Sequence, residues 1–132
     1  MPKFLLMVNH DGGEFEQPMD EWAPGDIAAH FDYYAALTEE LVASGEMVQF
    51  TGLADPRLAR IVRSDGAAPV VTDGPFPESK EVLAGFNVVD VESEARALEI
   101  AARISAVPGP GGAPTRQPVE VRQVMDAVAF DL

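Results

Sequence analysis

Apolar residues along the chain fall into two kinds of stretch, short runs and recurrences at every third or fourth position. Lys3 to Val8 is a run closed by Asn9 and His10, the mark of a buried strand. Asn9 to Ala23 reads as a loop with Asp11-Gly12-Gly13, acidic residues and Trp22. Pro24 suits a first helical turn, and Asp26 complements the positive end of the helix dipole. Ile27, Phe31, Tyr34, Leu37, Leu41 and Val42 then recur at spacings of three and four, which predicts one apolar helix face stopped at Gly45. Met47 to Thr51 is a second strand. Arg57 to Arg63 is a strand of mixed faces, and Asp65-Gly66 turns it back into a hairpin arm at Val70-Val71-Thr72.

Asp73-Gly74-Pro75-Phe76-Pro77 predicts a loop, because proline cannot donate to a strand ladder. Val82 to Val91 is apolar on both faces, as in a central strand. Ser93 is placed to cap a second helix. Ala97, Leu98, Ala101 and Ile104 are expected to face inward. Glu92, Arg96, Glu99 and Arg103 are expected to form a solvated stripe, with Glu99 four residues ahead of Arg103. Ala106 to Pro118 is a Pro/Gly-rich connection, and Val119 to Met125 alternates as a half-buried strand.

The element order is strand, helix, strands, strand, helix, strand. Two βαβ-type halves around an antiparallel sheet make an α+β fold of the ferredoxin-like, split βαβ kind. Both helices would cover one sheet face. The other face, apolar in its central strand, calls for a second copy of the chain, so a homodimer is expected.

Composition narrows the function. A chain of 132 residues with 47% hydrophobic residues suits one domain, residues 1–132, with a real core. Its formal net charge of -13 and pI of about 4.3 repel phosphate backbones, so no direct nucleic-acid binding is expected. The chain has no cysteine, which excludes disulfides and thiolate chemistry. The opening apolar run is too short for a signal-peptide core or a membrane span, so a cytoplasmic location and no membrane association are expected.

Val71-Thr72-Asp73-Gly74-Pro75-Phe76-Pro77-Glu78-Ser79-Lys80-Glu81, followed by Leu83-Ala84-Gly85-Phe86, resembles the signature of the YCII-related proteins of the DGPF subgroup. The opening strand, the Gly45 stop, the Pro108 to Gly112 loop and the closing Val119-Glu120-Val121-Arg122 are similar to that family too. The resemblance implies a homodimer of the dimeric α/β-barrel type and a pocket between the first helix, the sheet and the DGPF loop. It also implies an association of some members with alternative sigma factors, and relatives in the wider superfamily that are lyases acting on small ring compounds. Smaller family members pair a helix-1 histidine with an aspartate matching Asp73. Here His30 lies about one turn earlier, counted back from Gly45, and Tyr34 occupies the matching position.

The candidate chemistry centres on Asp73. Its carboxylate either caps the Gly74-Pro75 turn through backbone N–H groups or, partly buried by Phe76 and Phe86, acts as a general base with a raised pKa. His30 shares a helix face with Tyr34, Leu37 and Leu41, where it is either an edge-of-core residue or a proton carrier. The Tyr34 phenol either orients a substrate or simply packs with a wet tip. Phe76, Lys80 and Phe86 are the expected substrate-binding residues, with Lys80 an ion-pair partner or anion anchor. His10, Asp11, Glu14 and Glu16 match no metal spacing, so no metal and no other cofactor is expected. Two function classes follow. One is a small-molecule-binding protein acting as a cofactor-independent acid/base enzyme of lyase or isomerase type. The other is a non-catalytic sensing or partner module linked to sigma-factor regulation, meeting a basic partner through its acidity.

Overall fold

A computed structural model describes residues 1–10, 19–54, 58–74 and 82–125. Strand β1 spans Lys3–His10, helix α1 Pro24–Ala43, β2 Met47–Gly52, β3 Arg60–Arg63, β4 Val70–Asp73, β5 Val82–Asp90, helix α2 Glu94–Ser105 and β6 Val119–Gln123. One-turn 3-10 helices at Met19–Glu21 and Pro110–Gly112 complete the set. Among the described residues, no helix is long and apolar enough to cross a membrane.

β2, β5, β1 and β6 form one four-stranded sheet in that order, and every pairing is antiparallel. With α1 between β1 and β2, and α2 between β5 and β6, the fold is α+β and compatible with the ferredoxin-like order. β3 and β4 form a separate two-stranded ribbon, paired from Arg60↔Asp73 to Arg63↔Val70. Asp73, expected in a loop, instead ends β4, and Pro75 to Pro77 of that expected loop lie outside the described residues.

Local signals work as expected. Gly45 adopts φ +79, and the N–H groups of Gly45 and Glu46 bond to Val42 O and Leu41 O, the Schellman pattern that ends α1. Ser93 Oγ accepts from Arg96 N at 3.2 Å and caps α2.

The buried helix faces are rotated from the expected ones. α1 buries His30, Leu37 and Leu41 and half-buries Tyr34, whereas Phe31 and Val42 are exposed. α2 buries Ile100 along with Ala97, Ala101 and Ile104, and leaves Leu98 exposed. Both helices have more apolar residues than one face holds, and the contact with the sheet selects which are covered. The core joins these residues to Phe4, Leu6 and Val8 of β1, to Val89 of β5 and to Val91 just after it. Leu5, Met7, Phe86 and Val88 lie out of phase with that set, share the opposite sheet face and are half-buried.

The expected solvated stripe on α2 is instead half structural. Arg96 bonds Glu46 through Nε at 2.8 Å and a terminal nitrogen at 3.0 Å, and also reaches Glu99 at 3.1 Å. Arg103 pairs with Glu40 of α1 at 2.6 Å rather than with Glu99. Both arginines thus tie α2 to neighbouring elements.

Candidate functional site

The N-terminal half of α1 carries a buried imidazole. His30 is 8% exposed, and its Nδ1 lies 2.9 Å from the carbonyl oxygen of Pro108. A carbonyl can only accept, so Nδ1 carries the proton, and Nε2 of the neutral ring is left as a lone-pair acceptor. Burial holds the His30 pKa below the ordinary 6.5, partly offset by that backbone bond. The imidazole is therefore a neutral base at neutral pH.

Aromatic rings surround it. Trp22, Phe31 and Tyr34 meet the imidazole edge to face, with centroids at 5.4, 5.5 and 5.1 Å. Tyr34 in turn lies against Phe50 of β2 at 5.8 Å. Burial pushes the Tyr34 phenol up to about 12, with the nearby Tyr33 adding to the shift, so it stays protonated. The Pro/Gly connection closes beside these residues. Pro108 O holds His30, and Gly111 N donates to Asp26 Oδ2 at 3.0 Å, so the connection is pinned to the first turns of α1 at two points.

The sheet below the helix contributes Asn87 of β5. It is 2% exposed, and its Oδ1 is buried with no hydrogen-bond partner among the described residues. An orphaned buried polar group costs about 1–3 kcal/mol, so an apolar side chain there would be more stable. Asn87 stands opposite Leu6 on β1 and Phe50 on β2. Two residues along the same face, Gly85 pairs with Gly52, and neither offers a side chain. A Cβ at Gly52 would meet nothing within 4 Å.

The fold brings two of the residues expected at the site together. His30 and Tyr34 touch each other. Asp73 lies on the β3–β4 ribbon, where its carboxylate is 91% exposed and 3.6 Å from Arg60 Nε. The expected burial of Asp73 is thus not found, because every described ribbon residue from Arg60–Arg63 and Val70–Asp73 is exposed except the half-buried Ile61. No hydrogen bond or ion pair among the described residues joins Asp73 to His30 or Tyr34. Phe86 sits on the sheet face away from the helices, so the sheet stands between it and His30. Phe76, Lys80 and the Glu78 to Glu81 run lie outside the described residues, as do Asp11, Glu14 and Glu16. Sequence reasoning missed Asn87, Trp22 and Phe50. Only Asn87 left a signal, one amide between the apolar Phe86 and Val88 of β5.

The YCII-related domain family matches residues 4–120, and the chain belongs to that family. An uncharacterised protein of Rhizobium meliloti (strain 1021) is 32% identical over 71 residues, which cover 54% of this chain and 57% of that protein. The match thus spans a little over half the length of that curated relative.

Proposed function

We propose that this YCII-related chain binds a small organic molecule beside His30 and moves a proton on it without a cofactor. The observation that carries this reading is the buried His30 ring, whose tautomer is set by Pro108 O so that Nε2 is the basic nitrogen. In the reaction, Nε2 takes a proton from a ligand carbon or hydroxyl and returns it to an adjacent atom, an isomerisation, or to a leaving group, a lyase step. The protonated Tyr34 phenol donates to the oxygen on which charge develops. The aromatic surround limits water around the base.

The chain has a single tryptophan, and Trp22 lies against His30, so its emission reports on the site. A thermal-shift screen of small uncharged molecules should give hits that also change Trp22 emission, and both responses should be lost in His30→Ala. Hits that raise the melting temperature equally in wild type and His30→Ala would place binding elsewhere and end this reading. For a confirmed hit, proton exchange in deuterated water followed by NMR should fall in His30→Gln and Tyr34→Phe. The acid/base role expected of Asp73 is tested in the same assay, since Asp73→Asn should slow exchange if that carboxylate takes part.

Self-association is a second, compatible reading. Leu5, Met7, Phe86 and Val88 form an apolar row on the face away from the helices, and Leu58, Val62, Val70 and Val71 are exposed on and beside the ribbon. These surfaces support a homodimer of the dimeric α/β-barrel type. Light scattering should report a dimer that Met7→Lys converts to monomer, and a monomeric wild type at micromolar concentration rejects it.

A further inference from the structure

Buried polar groups are nearly always satisfied, so the orphaned Oδ1 of Asn87 asks for a partner that none of the described residues supplies. Its surroundings say where that partner would sit. Asn87 neighbours Phe50 across the β2–β5 pair, Tyr34 packs on Phe50, and His30 packs on Tyr34. Ring contacts thus link His30 through Tyr34 to Phe50, and the strand register puts Asn87 opposite Phe50. The next cross-strand pair on that sheet face is Gly85 with Gly52, where no side chain fills the space. Gly85 is constrained besides, since a Cβ there would approach Thr51 O to 2.8 Å. The bare backbone pair therefore leaves the β2 side of that position without a side chain, while Leu6 and Val8 of β1 stand opposite Asn87 and Gly85 on the other side.

We infer that Asn87 is a ligand-binding residue, and that its Oδ1 and His30 Nε2 form two acceptors that select a flat, uncharged molecule carrying hydroxyl or amino donors. This deepens the small-molecule reading above and rests on it. The aromatic side chains of Trp22, Phe31, Tyr34 and Phe50 suit an aromatic body. Two acceptors require the ligand to bring the hydrogens, and they repel a carboxylate, whose oxygens only accept. The Tyr34 phenol both donates and accepts, so it does not alter that selection.

The test uses the full chain with the three dihydroxybenzenes, phenol, 1,3-dimethoxybenzene and isophthalate as probes, read by Trp22 emission and thermal shift. At least one dihydroxybenzene should bind wild type roughly tenfold more tightly than phenol, with the dimethyl ether weaker still and isophthalate without effect. Asn87→Leu should bind phenol as wild type does but lose the preference for the second hydroxyl, and its melting temperature should not fall. Asn87→Ala serves the same comparison if leucine is not accommodated. Probe binding that depends on His30 but keeps the second-hydroxyl preference in both Asn87 variants overturns this inference and leaves the small-molecule reading standing. Probe binding indifferent to His30→Ala overturns both. Tighter binding of isophthalate than of any dihydroxybenzene, or no binding of any dihydroxybenzene at millimolar concentration, overturns the assignment of the ligand class.

Discussion

Glu46→Gln should destabilise the domain by about 2 kcal/mol, and the loss should be confined to pH values at which Glu46 is ionised. Glu46 stands where α1 has ended and β2 begins. Its carboxylate takes two bonds from Arg96 of α2, at 2.8 and 3.0 Å, and a third from Ser44 Oγ at 2.8 Å. Its backbone N–H bonds Leu41 O, and its carbonyl accepts from Asp90 N, so one residue is bonded to three elements, α1, α2 and β5. The two side chains are 15% and 25% exposed, which sets this pair apart from an ordinary surface pair. Glutamine keeps one accepting oxygen, so one charge-assisted bond and the ionic attraction are lost, a cost of about 1–3 kcal/mol. For a domain of this size that is roughly 5–10 °C in Tm.

Arg96 and Ser44 hold the Glu46 pKa down to about 2 from an ordinary 4.5. A depressed carboxylate pKa stabilises fully above the unfolded value and is lost as pH falls through the folded one. The difference between wild type and Glu46→Gln should therefore be constant above pH 4.5 and shrink toward pH 2. Urea unfolding of wild type, Glu46→Gln, Arg96→Met and the double variant across that range measures the coupling directly. A coupling below about 0.5 kcal/mol, the level of exposed pairs, refutes the reasoning, as does a difference that does not shrink in acid.

Three further outcomes follow from other parts of the molecule. Because His30 is held below 6.5 in the folded chain, the unfolded chain takes up a proton first as pH drops, so stability should decline below pH 6.5; in His30→Gln that component of the Tm–pH curve should disappear. Gly85→Ala should cost about 1–3 kcal/mol in urea unfolding, since the added methyl meets Thr51 O at 2.8 Å and backbone cannot yield as a flexible side chain can. Asp73→Asn should leave unfolding within about 0.5 kcal/mol of wild type, because its carboxylate is 91% exposed; a large loss would instead show that it caps the following turn.

What the chain's own pattern determined was everything governed by near neighbours. Gly45 ends α1 because the step at φ +79 is cheap only for glycine. Ser93 starts α2 because its hydroxyl reaches an N–H three residues ahead. Asp65-Gly66 turns the ribbon, with Asp65 Oδ1 accepting from Ala67 N at 3.0 Å. The strands were legible from their runs, and the order of elements was enough for the antiparallel α+β arrangement. The site depended on contacts between residues remote in sequence. His30 owes its tautomer to Pro108, 78 positions away, and Glu46 owes its acidity to Arg96, 50 positions away. Asn87 and Phe86 are adjacent in β5, yet strand alternation sends one toward the helices and the other to the opposite face. The motif suggested a partly buried Asp73 carboxylate, but among the described residues the ribbon that carries it pairs as a separate two-stranded sheet and the carboxylate is 91% exposed. Periodicity says that a face exists. Which face is buried, and which polar groups are sealed beneath it without partners, is decided only when helix and sheet close on each other and exclude water.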